Sequence, residues 1–156
     1  MRIMVREEDL LEDHRSIDIK LEKLLSLIEE GELDPSLFMD IRSGLIKHIF
    51  VEEEYSFPSV MQLDSSISAR LTGLEMEHAA IWMLLDRVRS EIESGEILKS
   101  PKFIREIADI LRAHNDQEEE YVYPVILKIS SESGPDFSDV MVPAGWICHR
   151  LRKNKQ

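Results

Sequence analysis

The chain has 156 residues, 43% hydrophobic and 32% charged, with only 6 glycines and 6 prolines, which is the composition of one helix-rich globular domain. Its formal net charge of -12 argues against nucleic acid or an anionic membrane as the main partner, and the basic closing stretch "HRLRKNKQ" reads as a solvated terminus. A single cysteine, Cys148, excludes an intramolecular disulfide framework; with no membrane-length apolar run and no secretory pattern, a reduced, cytoplasmic compartment is expected.

In chain order, the first helix places Leu10, His14, Ile17, Leu21, Leu24 and Ile28 on one stripe and closes at Gly31. Asp34 followed by Pro35 caps and opens a second helix, whose inward stripe is Ile41, Leu45, His48, Glu52 and Tyr55. The third helix carries Ile67, Leu71, Leu74, His78, Ile81, Leu85, Val88 and Ile92 and closes at Gly95. Ser100 and Pro101 open the fourth in the same way as Asp34 and Pro35, with Ile104, Ile107, Leu111, His114, Glu118, Tyr121 and Val125 facing inward. Beyond residue 131, "SESGPD" reads as a loop, and 136–154 has room for one short helix. The expected architecture is all-α: an antiparallel up-down-up-down four-helix bundle over residues 1–130, followed by a C-terminal extension over 131–156.

The bundle is built by duplication. "HIFVEEEYSFP" from His48 and "HNDQEEEYVYP" from His114 share the pattern H-x-x-x-E-E-E-Y-x-(F/Y)-P, 66 residues apart. Pro35 and Pro101 each precede their histidine by 13 residues, and His14 and His78 each precede their glycine by 17. One helical hairpin, repeated with a small change of loop length, accounts for all of these spacings. The same spacings set the four histidines at one height. A span of 17 residues descends roughly 25 Å to the turn and one of 13 climbs roughly 20 Å back, at the α-helical rise.

Each His and Glu four apart share a helix face, so the duplication gathers His14, His48, Glu52, His78, His114 and Glu118 in the bundle interior. Only the first glutamate of each triplet is expected to face inward; Glu53, Glu54, Glu119 and Glu120 point to water or a flank. One buried histidine is most often a satisfied core residue. Four of them with two carboxylates, in matched pairs, are too costly to bury unless a cation neutralises the charge. Imidazole and carboxylate without thiolate suit iron or manganese and also accommodate zinc, and two carboxylates among four histidines suit two ions.

This pattern resembles the hemerythrin-like HHE cation-binding domains over about residues 6–130. The resemblance implies a four-helix bundle with a non-haem, carboxylate-bridged di-iron centre. His14 and His48 then bind one iron, His78 and His114 the other, and Glu52 and Glu118 bridge the two. Oxygen-carrying hemerythrins add a fifth histidine one turn away on the third helix; here the neighbouring turns hold Leu74 and Trp82, which leaves both irons open and the site symmetric. The four-histidine, two-glutamate set is more similar to bacterial di-iron proteins that repair nitric-oxide-damaged iron–sulfur clusters. Those carry an N-terminal cysteine-bearing segment that is not found in this chain.

Tyr55 and Tyr121 follow their histidines by seven residues and are expected on the same face, as aromatic seals or as hydrogen-bond partners of the glutamates. Glu75, in "EMEH", has the spacing of a further ligand, but the matching position in the first hairpin is Leu11; His149 stands outside the repeat and reads as a surface or packing residue, and Trp82 and Trp146 read as core or tail-docking aromatics. The implied function is a di-iron protein that reacts with oxygen, peroxide or nitric oxide, in oxidative or nitrosative stress or in iron supply, with a protein redox partner. The alternatives are an oxygen or nitric oxide sensing module without turnover, or a metal store.

Overall fold

The computed structural model describes residues 5–129 and 136–152. Of the loop expected at 131–136, residues 131–135 lie outside them, as do the last four residues. Among the described residues the regular structure is entirely helical. Helix α1 runs Glu7–Glu29, α2 Pro35–Val51, α3 Phe57–Leu63, α4 Ser68–Ser94, α5 Ser100–Gln117 and α6 Tyr123–Ile129. A π-helical segment, Glu52–Ser56, joins α2 to α3, and a second, Glu118–Val122, joins α5 to α6. The four long rods are therefore α1, α2 with α3, α4, and α5 with α6, and they form a four-helix bundle.

Side-chain pairs give the direction of each rod. His14 lies against His48, Ile17 meets Gly44, and Lys20 pairs with Asp40, so the partner number falls as the α1 number climbs. The second hairpin repeats the trend: His78 meets His114, Arg87 lies over Phe103, and Glu91 bonds Ser100. Within each hairpin the helices are antiparallel.

Both turns depend on a glycine in the left-handed region, Gly31 at φ 82° and Gly95 at φ 78°. In each, the residue after the glycine returns its N–H to a carbonyl five back: Glu32 to Leu27 and Glu96 to Glu91. This closes the helix end, and a side chain would be strained at either glycine. Asp34 caps α2 by accepting from the Leu37 N–H at 3.0 Å. Ser100 does something else: its buried hydroxyl donates to Glu91 at 2.7 Å, tying the ends of α4 and α5 together side by side.

Two apolar clusters fill the bundle. One, towards the turns, includes Ile17, Leu24, Phe38, Leu45, Ile81, Leu85, Ile104 and Leu111. The other, at the far end, includes Leu10, Phe50, Phe57, Val60, Leu74, Val122, Tyr123 and Ile126. Every histidine of the bundle falls between a member of one and a member of the other along its own helix. The polar layer is thus closed above and below by aliphatic and aromatic side chains.

Residues 136–152 contribute two single 3-10 turns, Phe137–Asp139 and His149–Leu151. Trp146 packs edge-on against Phe50 at 5.0 Å and Trp82 at 5.8 Å, and Cys148 is buried beside Ile49 and Trp82. Both tryptophans serve to dock this segment.

Candidate metal centre

Each rod brings one imidazole to the same level, with the His14 and His48 rings 4.6 Å apart and the His78 and His114 rings 4.7 Å apart. Glu52 reaches two of them: its carboxylate oxygens lie 3.3 Å from His48 Nε2 and 3.1 Å from His78 Nε2. Glu118 reaches the other two, at 3.2 Å from both His14 Nε2 and His114 Nε2. The six side chains fall into two overlapping quartets, His14, His48, Glu52, Glu118 and Glu52, His78, His114, Glu118, each with its ligand atoms within 4.8 Å of one another. None of the six is more than 4% exposed.

The opposite edge of each ring is held as well. His14 Nδ1 donates to Glu119 at 2.9 Å, His48 Nδ1 to Asp13 at 2.7 Å, His78 Nδ1 to Glu53 at 2.7 Å and His114 Nδ1 to Glu77 at 2.9 Å. These four carboxylates are themselves duplicated. Asp13 and Glu77 each precede the first histidine of their hairpin, and Glu53 and Glu119 each follow the inward glutamate. A carboxylate on Nδ1 fixes the tautomer that leaves the Nε2 lone pair free, the arrangement found around metal-binding histidines.

Four inward lone pairs facing two carboxylates make a site for positive charge. Without a cation the chain supplies that charge as protons. Burial pushes the His48 imidazolium down, but the Glu52 charge and the hydrogen bonds His48 donates to Asp13 and Glu52 outweigh it and hold His48 well above its usual range. Burial likewise opposes, and Glu118 and Glu77 more than restore, a His114 pushed up to about 10. Burial raises Glu52, and its histidine partners pull it well below the usual carboxylate range. Glu118 Oε2 is buried with His114 Nε2 at 3.2 Å as an ion-pair partner but has no aligned hydrogen bond. A di-iron centre fits these residues: the donors are nitrogen and oxygen, there are two shared carboxylates, and cations would engage the Glu118 oxygen that lacks an aligned donor.

The expectation that only the first glutamate of each triplet faces inward holds for three of the four others and fails at Glu53. That carboxylate is 1% exposed and holds His78. The seven-residue arithmetic for the tyrosines fails as well. Tyr121 is 43% exposed beneath the Arg70 guanidinium, and Tyr55 packs edge-on against Phe50. The cause is the π-helical turn that starts at each inward glutamate. It takes up one more residue per turn than an α-helix, so the inward stripe resumes one position late, at Ser56 and Phe57, and at Val122 and Tyr123.

Tyr123 is the site residue that 3.6-residue spacing misses. Its hydroxyl lies 2.8 Å from His14 Nε2, 3.1 Å from His48 Nε2, 2.8 Å from Glu52 and 3.3 Å from Glu118. Burial and the charges of Glu118 and Glu52 hold its phenol well above its usual range, so in the metal-free protein it remains a donor. At the same place in the first hairpin stands Phe57, lying flat on His78 at 5.7 Å. The two halves of the site are therefore unequal.

Glu75 points away from the quartets, to Arg150 at 3.2 Å and His149 at 3.5 Å. His149 lies outside the two quartets, and with Glu53 and Glu75 it forms a third group whose ligand atoms lie within 4.8 Å of one another. Its backbone N–H donates to Glu53 at 2.7 Å, its ring bonds Glu54 at 3.0 Å, and Trp146 and Arg152 donate to Glu54 as well. Cys148 is buried, and burial and the Glu53 charge push its thiol up to about 12, where it is inert as a nucleophile.

On the side away from the glutamates, the four imidazoles border a cavity of about 10 Å³ with Ile17, Leu45, Ile49, Ile81, Leu111 and Asn115. That volume holds one water-sized molecule. A surface groove of about 330 Å³ between α1 and α5 shares His14, Leu111 and Asn115 with it.

A helical bundle that buries a layer of imidazoles and carboxylates between two apolar clusters defines a class of cation-binding helical proteins. The family described as Hemerythrin HHE cation binding domain matches residues 6–126, and the chain belongs to it. No curated protein and no solved structure matches the chain. Among the described residues no helix is long and apolar enough to cross a membrane.

Proposed function

We propose that this is a dinuclear non-haem iron protein that binds and reacts with a small molecule such as oxygen, peroxide or nitric oxide. His14 and His48 hold one ion, His78 and His114 the other, and Glu52 and Glu118 bridge them; manganese or zinc can substitute. The observation that carries this reading is the tethering of every Nδ1 to an outer carboxylate while every Nε2 turns inward. Iron at such a centre supplies redox chemistry, while the chain orients the ligands and excludes bulk water with the two apolar clusters. The cavity beside the imidazoles supports a small partner, since its volume of about 10 Å³ admits one water-sized molecule. A role in oxidative or nitrosative stress, a cytoplasmic location and a separate protein electron donor belong to the same reading.

A sensor or a metal store is the second reading. The burial of all six ligands favours a resident centre over an exchangeable store. Metal analysis of protein produced with iron available, followed by optical spectra with oxygen and with nitric oxide, tests the proposal. The expected result is about two irons per chain, by the ligand count, with spectra that respond to either gas. Protein that folds fully and holds no iron overturns it.

A further inference from the structure

We infer that the Tyr123 oxygen is a fifth protein donor to the ion held by His14 and His48, so that the two ions of the centre are inequivalent and small molecules bind to the ion held by His78 and His114. This rests on the dinuclear reading above and goes beyond the six-ligand set.

The hydroxyl of Tyr123 stands 2.8 to 3.3 Å from one nitrogen each of His14 and His48 and one oxygen each of Glu52 and Glu118. A phenol has one proton to give, and four partners at that distance exceed what its hydrogen bonding can use. Donor atoms at roughly right angles around an ion, each about 2.1 Å from it, sit about 3 Å apart, so five atoms with these separations outline a coordination shell. Coordination forms a metal–oxygen bond and breaks the phenol O–H, and the proton leaves to solvent, as protons do when a metal enters a protein site. No oxidant or reductant takes part.

The other half-site has no equivalent group. Phe57, at the same place in the repeat, offers only a ring face, lying parallel to the His78 imidazole within 6°. An ion held by His78, His114, Glu52 and Glu118 keeps a position that no side chain fills, since Leu74 and Trp82 carry no suitable donor. The duplication therefore supplies two similar half-sites, and the Tyr/Phe difference makes one closed and one open.

The test uses the full chain loaded with iron and oxidised. A phenolate bound to ferric iron absorbs visible light and gives resonance-enhanced tyrosine ring vibrations. Wild-type protein should show both, and protein made with ring-deuterated tyrosine should show those vibrations shifted. Tyr123→Phe should lose the band while keeping about two irons per chain, and Phe57→Tyr should strengthen it. Azide, as a probe, should bind one iron in wild type and both in Tyr123→Phe. Wild-type protein that holds two irons but shows no tyrosine vibrations overturns the inference and leaves the dinuclear reading intact. The same holds for a band unchanged in Tyr123→Phe. Wild-type protein that holds no iron overturns both. Should Tyr123→Phe fail to fold, the deuterated wild-type spectrum decides alone.

Discussion

His78 donates its Nδ1 proton to Glu53 at 2.7 Å, and Glu53 is buried although it lies in the middle of an acidic triplet. Through its other oxygen the same carboxylate accepts the His149 backbone N–H at 2.7 Å. One side chain thus orients a candidate ligand and anchors the C-terminal segment.

Glu53→Ala should therefore behave differently from Glu120→Ala, which removes an exposed charge. Loss of a carboxylate behind a ligating histidine weakens metal binding by about 10- to 100-fold. Titration of metal-free protein with ferrous iron checks this. Equal affinities for the two variants would place Glu53 outside the site.

Glu52→Ala or Glu118→Ala removes an oxygen donor shared by both quartets. Each should reduce iron from about two per chain to fewer than one, the consequence of losing a ligand common to two ions. Retention of two irons in either variant contradicts the bridging arrangement.

Metal removal should lower the melting temperature. A ligand at 100 times its Kd stabilises by about 2.7 kcal/mol, which for a chain of this length is about 5–10 °C. Scanning calorimetry before and after chelation measures it. A change of a degree or less would mean that the six buried groups are satisfied without a cation.

The metal-free protein should lose stability as pH rises above neutrality. His48, His78 and His114 have raised values in the folded chain, with His114 at about 10. Their contribution is complete below the unfolded histidine value of about 6.5 and fades as pH climbs through the folded values. Glu52 is depressed, so its contribution fades only as pH falls below the ordinary carboxylate range. Metal binding needs neutral imidazoles, so the loaded protein should gain stability up to the unfolded histidine value of about 6.5 and then level off, and the melting gap between the two forms should widen from pH 6 to pH 9. A gap independent of pH would contradict this account of the site.

Trp146→Ala should detach the C-terminal segment from the bundle. It removes edge-on packing against Phe50 and Trp82 and the indole donor to Glu54 at 2.7 Å. For a half-buried tryptophan we expect about 1–3 kcal/mol lost. Urea unfolding followed by circular dichroism gives the value. A midpoint shift below measurement error would show that the docked segment adds nothing to stability.

The sequence by itself determined the helices, the duplication and the six inward histidines and glutamates. All follow from 3.6-residue periodicity, two glycine stops and one repeated spacing, which are local properties. It also held the outer carboxylates, since Asp13 and Glu77 and Glu53 and Glu119 are repeat partners, but their role depends on which ring they meet. Glu53 meets His78 and Glu119 meets His14, each across to the other hairpin. Only the tertiary structure decided the π-helical turns at Glu52 and Glu118. Each closes with a backbone N–H, of Phe57 or Tyr123, on the carbonyl of the inward glutamate five residues back, just before Pro58 or Pro124, and they rotate everything downstream. That rotation carries Tyr121 to the surface and Tyr123 to the centre. A periodicity that assumes uninterrupted α-helix cannot register it, because one extra residue in a turn moves the inward face without changing a single neighbour in the sequence.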